Sequence, residues 1–427
     1  MQFGFKSGVS TTQCTWVVNE VTNYFMRRGT AVNVCLLDCS KAFDKVKFDT
    51  LFQKLIEKGL PPIVVRVLIY IYEKQSGFVK LAGLKSDSFG ICNGTRQGSV
   101  LSPLLFSVYL DGLLKYLRRK GLGCHIGGIW YGACGYADDL LLMAPSRDVL
   151  QNMLKVCEDY ANAHNLVFST DPVPSKSKTK CMYFCGRQGK RVKYPDPLIL
   201  EGKELPWVEV AEHLGHTLHQ VCTMDKDCQR ARNKYLRSFT DLKEELYFSS
   251  PIQLLKAAQI YCSDAYGAML WDLSSSSSEQ FFKTWNACVK TAFRLPRNTF
   301  TYLIEGYFAA NLISLRNQII SRYSKFYQKL INSSSREVRI LANMVRHDPR
   351  SVTCKNLRLL RQMTGISHAE VYSSQKIKSI LPHKQVPKGE YWRIGLLQSL
   401  LSLRSERRSL VQDAQRVDAM ITSLCNT

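Results

Sequence analysis

Three aspartates lie at the ends of apolar runs, where a β-sheet would bring their carboxylates together. Asp138 and Asp139 are adjacent within GYADDLLLMA (135–144), and Asp38 ends the run AVNVCLLD (31–38). Two carboxylates about 4 Å apart repel by roughly 4 kcal/mol at an effective dielectric constant near 20. The adjacent pair therefore lies at an exposed turn or is neutralised by a positive group. Carboxylates that meet at strand ends suit Mg²⁺, and two such ions can stabilise both oxygens of a phosphoryl transfer.

Each motif alone also has an ordinary structural explanation. An Asp-Asp pair between two strands suits a β-hairpin turn, and Asp38 can cap the helix that follows it. Without the distant third acid, Asp138 and Asp139 would indicate only a turn. The chemistry therefore depends on the elements that bring Asp38 to this pair.

The surrounding pattern predicts such elements. AVNVCLLD is typical of a buried strand, GYADDLLLMA of two strands flanking a turn, and CMYFC (181–185) of a further strand. A hairpin is predicted over 77–92. Apolar residues at helical spacing, with Gly or Pro near several of the ends, predict helices over 12–28, 48–58, 61–75, 103–120 and 147–164. This alternation predicts an α+β domain with a mostly antiparallel sheet.

The composition favours an intracellular protein that binds a polyanion. The chain has 427 residues, 45% of them hydrophobic, and a net charge of +23, which indicates two or three domains and an acidic partner. Residues 321–427 hold 19 Lys and Arg against 7 Asp and Glu, interleaved with aromatic residues, so nucleic acid is favoured over an acidic membrane surface. No apolar stretch reaches the roughly 20 residues of a membrane helix. No lipidation signal appears either, so no membrane partner is expected. The fifteen cysteines are odd in number, and several lie inside apolar segments, which is typical of reduced, buried thiols.

The pattern changes past residue 190. Short strands around 198–218 precede largely helical sequence, and the serine run at 274–278 is predicted to be a flexible joint. The chain opens with QFGFKSGVSTT directly after Met1 and without a secretory signal. Because this opening is typical of the middle of a domain, we expect a fragment or an N-terminally truncated product.

Six motifs in a fixed order resemble the reverse transcriptase of non-LTR (LINE-type) retrotransposons, over residues 1 to 275. The motifs are QFGFKSGVST (2–11), LLDCSKAFDKV (36–46), NGTRQGSVLSPLLFSVYLD (93–111), GYADDLLLMA (135–144), HNLVF with KSKTKCMYF (164–168 and 176–184), and VAEHLGHTL (210–218). The resemblance implies a right-hand polymerase of the α+β class with partial fingers. A palm with residual fingers is expected over 1–190, a thumb with a primer-grip segment over 191–273, and a basic helical C-terminal extension that binds nucleic acid over 274–427.

The resemblance also implies an RNA-directed DNA polymerase. Its substrates would be a dNTP, a DNA primer or target and an RNA template, and its cofactor two Mg²⁺ ions, with Mn²⁺ as an alternative. Asp38, Asp138 and Asp139 match the catalytic metal ligands. Lys178 matches a lysine that neutralises or protonates the departing pyrophosphate. Lys176 and Lys180 compete for this role in the same loop, which can also be a solvated basic loop.

Further residues match nucleotide and primer contacts of the family. Phe43 matches the aromatic residue that excludes a 2′-hydroxyl, although it also suits a core aromatic. Tyr136 would lie near the primer terminus, or would be an ordinary sheet residue. The polar loop of Arg96, Gln97 and Gly98, before a helix N-terminus at Ser102 and Pro103, would approach the nucleotide or template base. The pair Leu214 and Gly215 would grip the primer.

A three-residue spacing relates four potential zinc ligands, His213, His216, His219 and Cys222. On a helix this spacing would form one stripe. Gly215 and the Leu-Gly match favour a strand and turn instead, so no structural zinc is expected.

Two alternatives to an active polymerase stay open. We expect incomplete fingers, because the segments that precede the first motif in this family do not occur in the sequence, and neither does an endonuclease domain. The chain could therefore be a catalytically inactive retroelement-derived fragment that acts only as an RNA-binding protein. A group II intron maturase shares the palm, but LPRNTFTYL (295–303) and SVTCKNL (351–357) resemble retrotransposon sequences. For the polymerase and for the RNA-binding fragment alike, the expected location is the nucleus, a cytoplasmic ribonucleoprotein or both.

Overall fold

The computed structural model describes most of the chain in two compact units, Met1–Thr223 and Met224–Thr427. The residues outside the description are 7, 97, 172, 174–175, 186–192, 263–264, 296, 298–311 and 366–427. The domain boundaries predicted after residues 190 and 273 stay predictions.

The first unit contains the five helices that the sequence predicted. They are α1 (Thr11–Met26), α2 (Phe48–Glu57), α3 (Pro62–Glu73), α4 (Ser102–Arg119) and α5 (Arg147–Ala163). Capping defines two of the starts, because the Ser10 and Ser146 side chains accept hydrogen bonds from backbone N–H groups in the first turns of α1 and α5.

A four-stranded antiparallel sheet forms the centre of this unit. Its strands are β1 (Val32–Leu37), β8 (Ala133–Tyr136), β9 (Asp139–Ala144) and β10 (Lys180–Phe184), in the order β10-β1-β9-β8. Every residue of β1 is buried. On one face Leu37 and Leu142 join a core with α4 and α5, and on the other Cys134 contacts Cys14 of α1. Burial on both faces explains why these strands appear in the sequence as continuous apolar runs.

Small hairpins surround the sheet. The predicted hairpin near 77–92 consists of nested pairs, and further pairs connect the larger elements. The strands are β2 (Ser76–Gly77) with β5 (Phe89–Gly90), β3 (Lys80–Leu81) with β4 (Leu84–Lys85), β6 (His125–Ile126) with β7 (Ile129–Trp130), β11 (Leu198–Leu200) with β12 (Lys203–Leu205), and β13 (Val210–His213) with β14 (His216–His219). The first unit is therefore α+β, with an antiparallel sheet and packed helices, as predicted.

The described part of the second unit is helical. Its helices are α6 (Asp225–Glu245), α7 (Pro251–Tyr261), α8 (Ser276–Ala292), α9 (Leu315–Ile331), α10 (Arg336–Val345) and α11 (Val352–Thr364). None of the helices that the structure describes is both long and apolar enough to cross a membrane.

The predicted flexible joint at 274–278 is wrong. The Ser275 side chain accepts a hydrogen bond from Ser278 N and caps α8, which begins at Ser276. Ser278 is buried, and its hydroxyl donates to Asp272 O at 2.8 Å. The serine run therefore starts a helix, because serine is a preferred N-cap residue.

Candidate active site

The turn between β8 and β9 carries the adjacent aspartates. Tyr136 pairs with Asp139, which leaves Ala137 and Asp138 as a two-residue hairpin loop. Ala137 has a φ of 57°, in the left-handed region that costs an L-residue about 1–2 kcal/mol. Such a conformation persists where the surrounding structure holds it. The predicted strand, turn and strand are confirmed, with one acid in the turn and the other at the start of β9.

Asp38 follows β1 and lies beside this turn. Leu37 of β1 is opposite Leu140 of β9 in antiparallel register, so the next position on each strand brings Asp38 next to Asp139. Both aspartates line a cavity of about 410 Å³. Asp38 N donates a hydrogen bond of 3.3 Å to the hydroxyl of the buried Thr179, which connects the end of β1 to the segment before β10. The fold therefore brings together two motifs that are far apart in the sequence.

The environment disfavours the charged forms of two of these carboxyls. Burial, followed by the charges of Asp138 and Asp38, raises the pKa of Asp139 to about 6. Burial also raises the pKa of Asp138, and the charge of Asp38 adds to that rise. Its own backbone N–H and the ammonium of Lys178 lower the pKa of Asp138 in part. A bound cation would favour the charged forms and reverse both shifts.

The donors at the site suit a hard divalent cation. Carboxylate oxygens are ligands that Mg²⁺ prefers, and a cation near Asp139 would offset the burial and the repulsion that raise its pKa. Within the described ranges, no group of three or more His, Cys, Asp and Glu side chains is arranged to hold a metal ion. The site thus offers suitable donor atoms and negative charge, but its three aspartate side chains are not arranged as one coordination shell.

One of the three candidate lysines lies next to Asp38. Lys178 Nζ is 3.8 Å from Asp38 Oδ2, and 72% of the lysine side chain is exposed. An ion pair this exposed contributes little to stability, so its value is positional. Lys180 also lines the cavity, whereas Lys176, which the structure also describes, does not. The geometry favours Lys178 over Lys176, and its role in the reaction stays a prediction.

Phe43 lies in a 3₁₀ turn that follows β1. Its ring packs against Phe106 of α4 with the centroids 4.5 Å apart and is partly buried against the core. Its carbonyl accepts a hydrogen bond from Thr95 N at 2.7 Å. Phe43 is thus partly a core aromatic, and its position depends on the segment that begins the NGTRQG motif.

Gly94 allows that segment to approach. Its φ is +88°, and a Cβ atom there would lie 3.0 Å from Asp44 Cα. Gly94 N donates to Val46 O at 2.8 Å. A side chain at residue 94 would therefore push directly on the turn that carries Phe43.

The polar loop before α4 is partly described. Arg96 is exposed, Gly98 has a φ of 80°, and Gln97 lies outside the described residues. The Ser102 hydroxyl donates to Arg96 O at 2.5 Å, and Pro103 occupies the first turn of α4. The predicted helix N-terminus is confirmed. The nucleotide contacts of the loop, and that of Tyr136 at the end of β8, stay predictions.

The predicted Leu-Gly turn joins β13 to β14. Leu214 and Gly215 have φ values of 52° and 74°, as a type I′ hairpin turn requires. Leu214 lines the same cavity as Asp38 and Asp139. The strand-and-turn interpretation is confirmed, and the turn borders the acids.

The histidines near this turn do not form a helical stripe. His213 pairs with His216 across the hairpin, and both side chains are buried. Burial, followed by the charge of His216, lowers the pKa of His213 to about 4. The His213 imidazole is therefore neutral at physiological pH.

Sequence reasoning missed Thr179, Glu212 and Thr217. Glu212 and Thr217 pair across β13 and β14, and both line the cavity. The period of two along β13 puts Glu212 on the same face as Val210, which also lines the cavity, since alternate strand residues share a face. No sequence signal distinguished Thr179, because its role depends on where β1 ends.

In a comparison with known proteins, one family model matches about half of the chain. The family described as "Reverse transcriptase (RNA-dependent DNA polymerase)" matches residues 1–218. The Pol polyprotein of the retrotransposable element R2DM of Drosophila melanogaster is 29% identical over 170 residues, which are 39% of this chain and 16% of the relative. A probable RNA-directed DNA polymerase from the X-element of the same organism is 25% identical over 291 residues, which are 65% of this chain and 30% of the relative.

The chain thus spans well under half of the length of these relatives. Among solved structures, telomerase from Candida albicans with a fragment of telomeric RNA has a TM-score of 0.37 and 11% identity, over 89% of this chain and 55% of that one. A TM-score this low supports no argument about fold or function.

Proposed function

The chain belongs to the reverse transcriptase family, and on that premise we propose that it is an RNA-directed DNA polymerase of a non-LTR retrotransposon. The 3′-hydroxyl of a DNA primer attacks the α-phosphate of a dNTP that pairs with an RNA template, and pyrophosphate leaves. The observation that carries the proposal is the register of β1 and β9, which sets Asp38 beside the turn of Asp138 and Asp139.

Members of this family generally use a divalent metal, and for this chain we propose two Mg²⁺ ions, which Mn²⁺ can replace. Asp38, Asp138 and Asp139 would hold them. When bound, such ions neutralise phosphate charge and stabilise the attacking and leaving oxygens. The carboxylate donors and the raised pKa of Asp139 support this assignment.

The other residues of the site position the reactants. Lys178, beside Asp38, neutralises or protonates the departing pyrophosphate. Phe43 excludes a ribose 2′-hydroxyl, and Tyr136 contacts the primer terminus. The polar loop of Arg96, Gln97 and Gly98 approaches the nucleotide or the template base, and the turn of Leu214 and Gly215 holds the primer.

A basic face of α6 supports nucleic acid as the partner of the second unit. Four cationic residues recur at helical spacing along one groove of about 770 Å³, and they are Lys226, Arg230, Lys234 and Arg237. Tyr235 and Phe239 are buried and pack this helix into its unit. A cationic helix face suits phosphate contacts with an RNA template or an RNA–DNA duplex. Because the proposed polymerase copies an RNA template onto a DNA target, we propose that it acts in the nucleus or in a cytoplasmic ribonucleoprotein.

Primer extension on an RNA template with Mg²⁺ tests the proposal. The wild-type chain should extend the primer, and Asp138→Ala should abolish extension while RNA binding is retained. Asp87→Ala is the matched control, because Asp87 is an exposed aspartate in the segment that connects β4 to β5. A wild-type chain that binds RNA without extending a primer would refute the polymerase and support a fragment that only binds RNA.

A further inference from the structure

The start of the chain lies along β8, the strand that leads into the turn of the acids. Gln2 forms a parallel bridge with Gly135. Gly135 N donates to Met1 O at 2.8 Å, and Phe3 N donates to Gly135 O at 2.7 Å. The Phe3 side chain is 3% exposed, so the core anchors this segment. Residues 1–4 thus pair with the edge of the sheet that carries the adjacent aspartates.

Gly4 is the point at which this segment meets the turn. A Cβ atom on Gly4 would clash with Ala137 N and would lie 3.1 Å from Tyr136 C. Both are backbone atoms, which cannot rotate away as the end of a side chain can. Gly4 N donates to the Gln2 side-chain oxygen at 3.0 Å, which holds Gly4 in place from its own side. The contact leaves no space for any residue larger than glycine.

We infer that Gly4 is a positioning residue that holds the β8–β9 turn, and with it Asp138 and Asp139, in the geometry that catalysis requires. The inference rests on the proposed function, because it assigns Gly4 a part in that reaction. The turn contains Ala137 in a left-handed conformation, which the surroundings must hold. On the side away from β9, residues 1–4 supply that support.

The inference has a measurable consequence for catalysis. A displacement of about 1 Å in a catalytic group can lower a rate roughly 100-fold. A methyl group on Gly4 can be accommodated only if the segment or the turn moves. Such a movement would displace the two aspartates and leave in place the template and primer contacts that lie outside this turn.

The test compares Gly4→Ala with Gly90→Ala in the full chain. Gly90 is the matched control, because no described heavy atom lies within 4 Å of a Cβ atom built there. Gly4→Ala should lower kcat for dNTP incorporation about 10- to 100-fold, with the dNTP KM and the template–primer Kd within about twofold of wild type. Mn²⁺ binding, measured by electron paramagnetic resonance without nucleic acid, should weaken several-fold in Gly4→Ala and stay unchanged in Gly90→Ala.

A second variant covers the case in which Gly4→Ala does not fold. Gln2→Ala removes the acceptor of Gly4 N without adding an atom, so it should give a smaller loss in kcat and in Mn²⁺ affinity. Thermal unfolding of all three variants separates a local shift of the turn from a general loss of structure.

Two results would overturn the inference. One is a folded Gly4→Ala variant that matches Gly90→Ala in both kcat and Mn²⁺ affinity. The other is a variant whose kcat falls only in step with its template–primer affinity and its Tm. If the wild-type chain extends no primer, the proposed function fails by itself and Mn²⁺ binding still decides the role of Gly4. A wild-type chain that binds no Mn²⁺ would overturn both.

Discussion

Lys178 Nζ lies 3.8 Å from Asp38 Oδ2, at the mouth of a cavity that Asp139 also lines. The pairing joins two segments separated in the sequence, the end of β1 and the loop before β10. Among the described residues, Lys178 is the only one of the three candidate lysines that forms an ion pair with an aspartate of the site. Most of the lysine side chain is exposed and therefore free to follow a leaving group.

This position predicts a role in the chemical step. Lys178→Ala should lower kcat for dNTP incorporation by about 10²- to 10⁴-fold, the range of a positioned general acid, with a small change in the dNTP KM. Lys176→Ala is the control, because Lys176 is exposed in the same loop and does not border the described cavity. Single-turnover incorporation measures both. Equal losses in the two variants would show that only loop charge matters.

Gly94 should influence the choice between dNTP and rNTP. Gly94→Ala puts a Cβ atom 3.0 Å from Asp44 Cα and so displaces the turn of Phe43. The preference for dNTP over rNTP, measured as a ratio of kcat/KM values, should fall about tenfold or more. Gly83→Ala is a close control, since its φ of +85° causes the same backbone strain and no described atom lies within 4 Å. An unchanged ratio in Gly94→Ala would contradict the predicted role of Phe43.

The charged Asp139 side chain should lower the stability of the folded protein at neutral pH. Its pKa of about 6 lies above the ordinary value of 3.8, so the folded state binds the proton more tightly than the unfolded state. Stability of the wild type should therefore fall as pH rises from 3.8 to 6, and Asp139→Asn should escape that fall. With a chelator present, Asp139→Asn should have a higher Tm than wild type at pH 7.5, and the difference should shrink at pH 4. An equal difference at both pH values would contradict the pKa shift, and Asp87→Asn is the exposed control.

The basic face of α6 should determine the salt dependence of RNA binding. Each lost phosphate contact lowers the slope of log K against log salt by about 0.7 to 0.9. Lys226→Gln combined with Arg237→Gln should therefore weaken binding and reduce the slope by roughly 1.5. Lys243→Gln changes an exposed lysine of α6 outside the groove and should leave the slope unchanged. The same slope in the double variant would place the RNA elsewhere.

Local pattern was sufficient for the five helices and the central strands of the first unit, but the short β6–β7 hairpin was not predicted. AVNVCLLD and GYADDLLLMA are apolar because the sheet is buried on both faces, and that burial produces the continuous runs by which strands were predicted. Gly215 marked the turn between β13 and β14 because a type I′ turn needs positive φ. These are short-range causes, which a sequence displays directly.

Composition misled where side-chain chemistry decided the structure. The serine run looks like a linker, yet Ser275 caps α8 and Ser278 is buried within its first turn. A count of serines cannot separate a linker from a cap, since the difference lies in which hydroxyl meets which backbone N–H.

The site was predictable in part. The three aspartates were identified from strand ends, and their proximity follows from antiparallel pairing of β1 with β9. The resemblance selected Lys178 but left Lys176 and Lys180 open, and the contact of Gly4 with Ala137 was not predictable. Both points depend on how far a chain segment reaches across the folded sheet. Such distances arise from tertiary packing and leave no local pattern.

The two-residue loop between β8 and β9 also determines how the coding sequence tolerates insertions. Strand side chains alternate between faces, so an in-frame codon inserted at this loop would shift Asp139 toward the site opposite Leu37, which Leu140 occupies. That one extra codon would bury a charge and rotate the strand, while the reading frame stayed open. The exposed hairpin around Leu81 and Leu84 could absorb the same insertion. For the proposed polymerase, an intact reading frame is therefore a poor guide to activity, and the length of this loop is a better one.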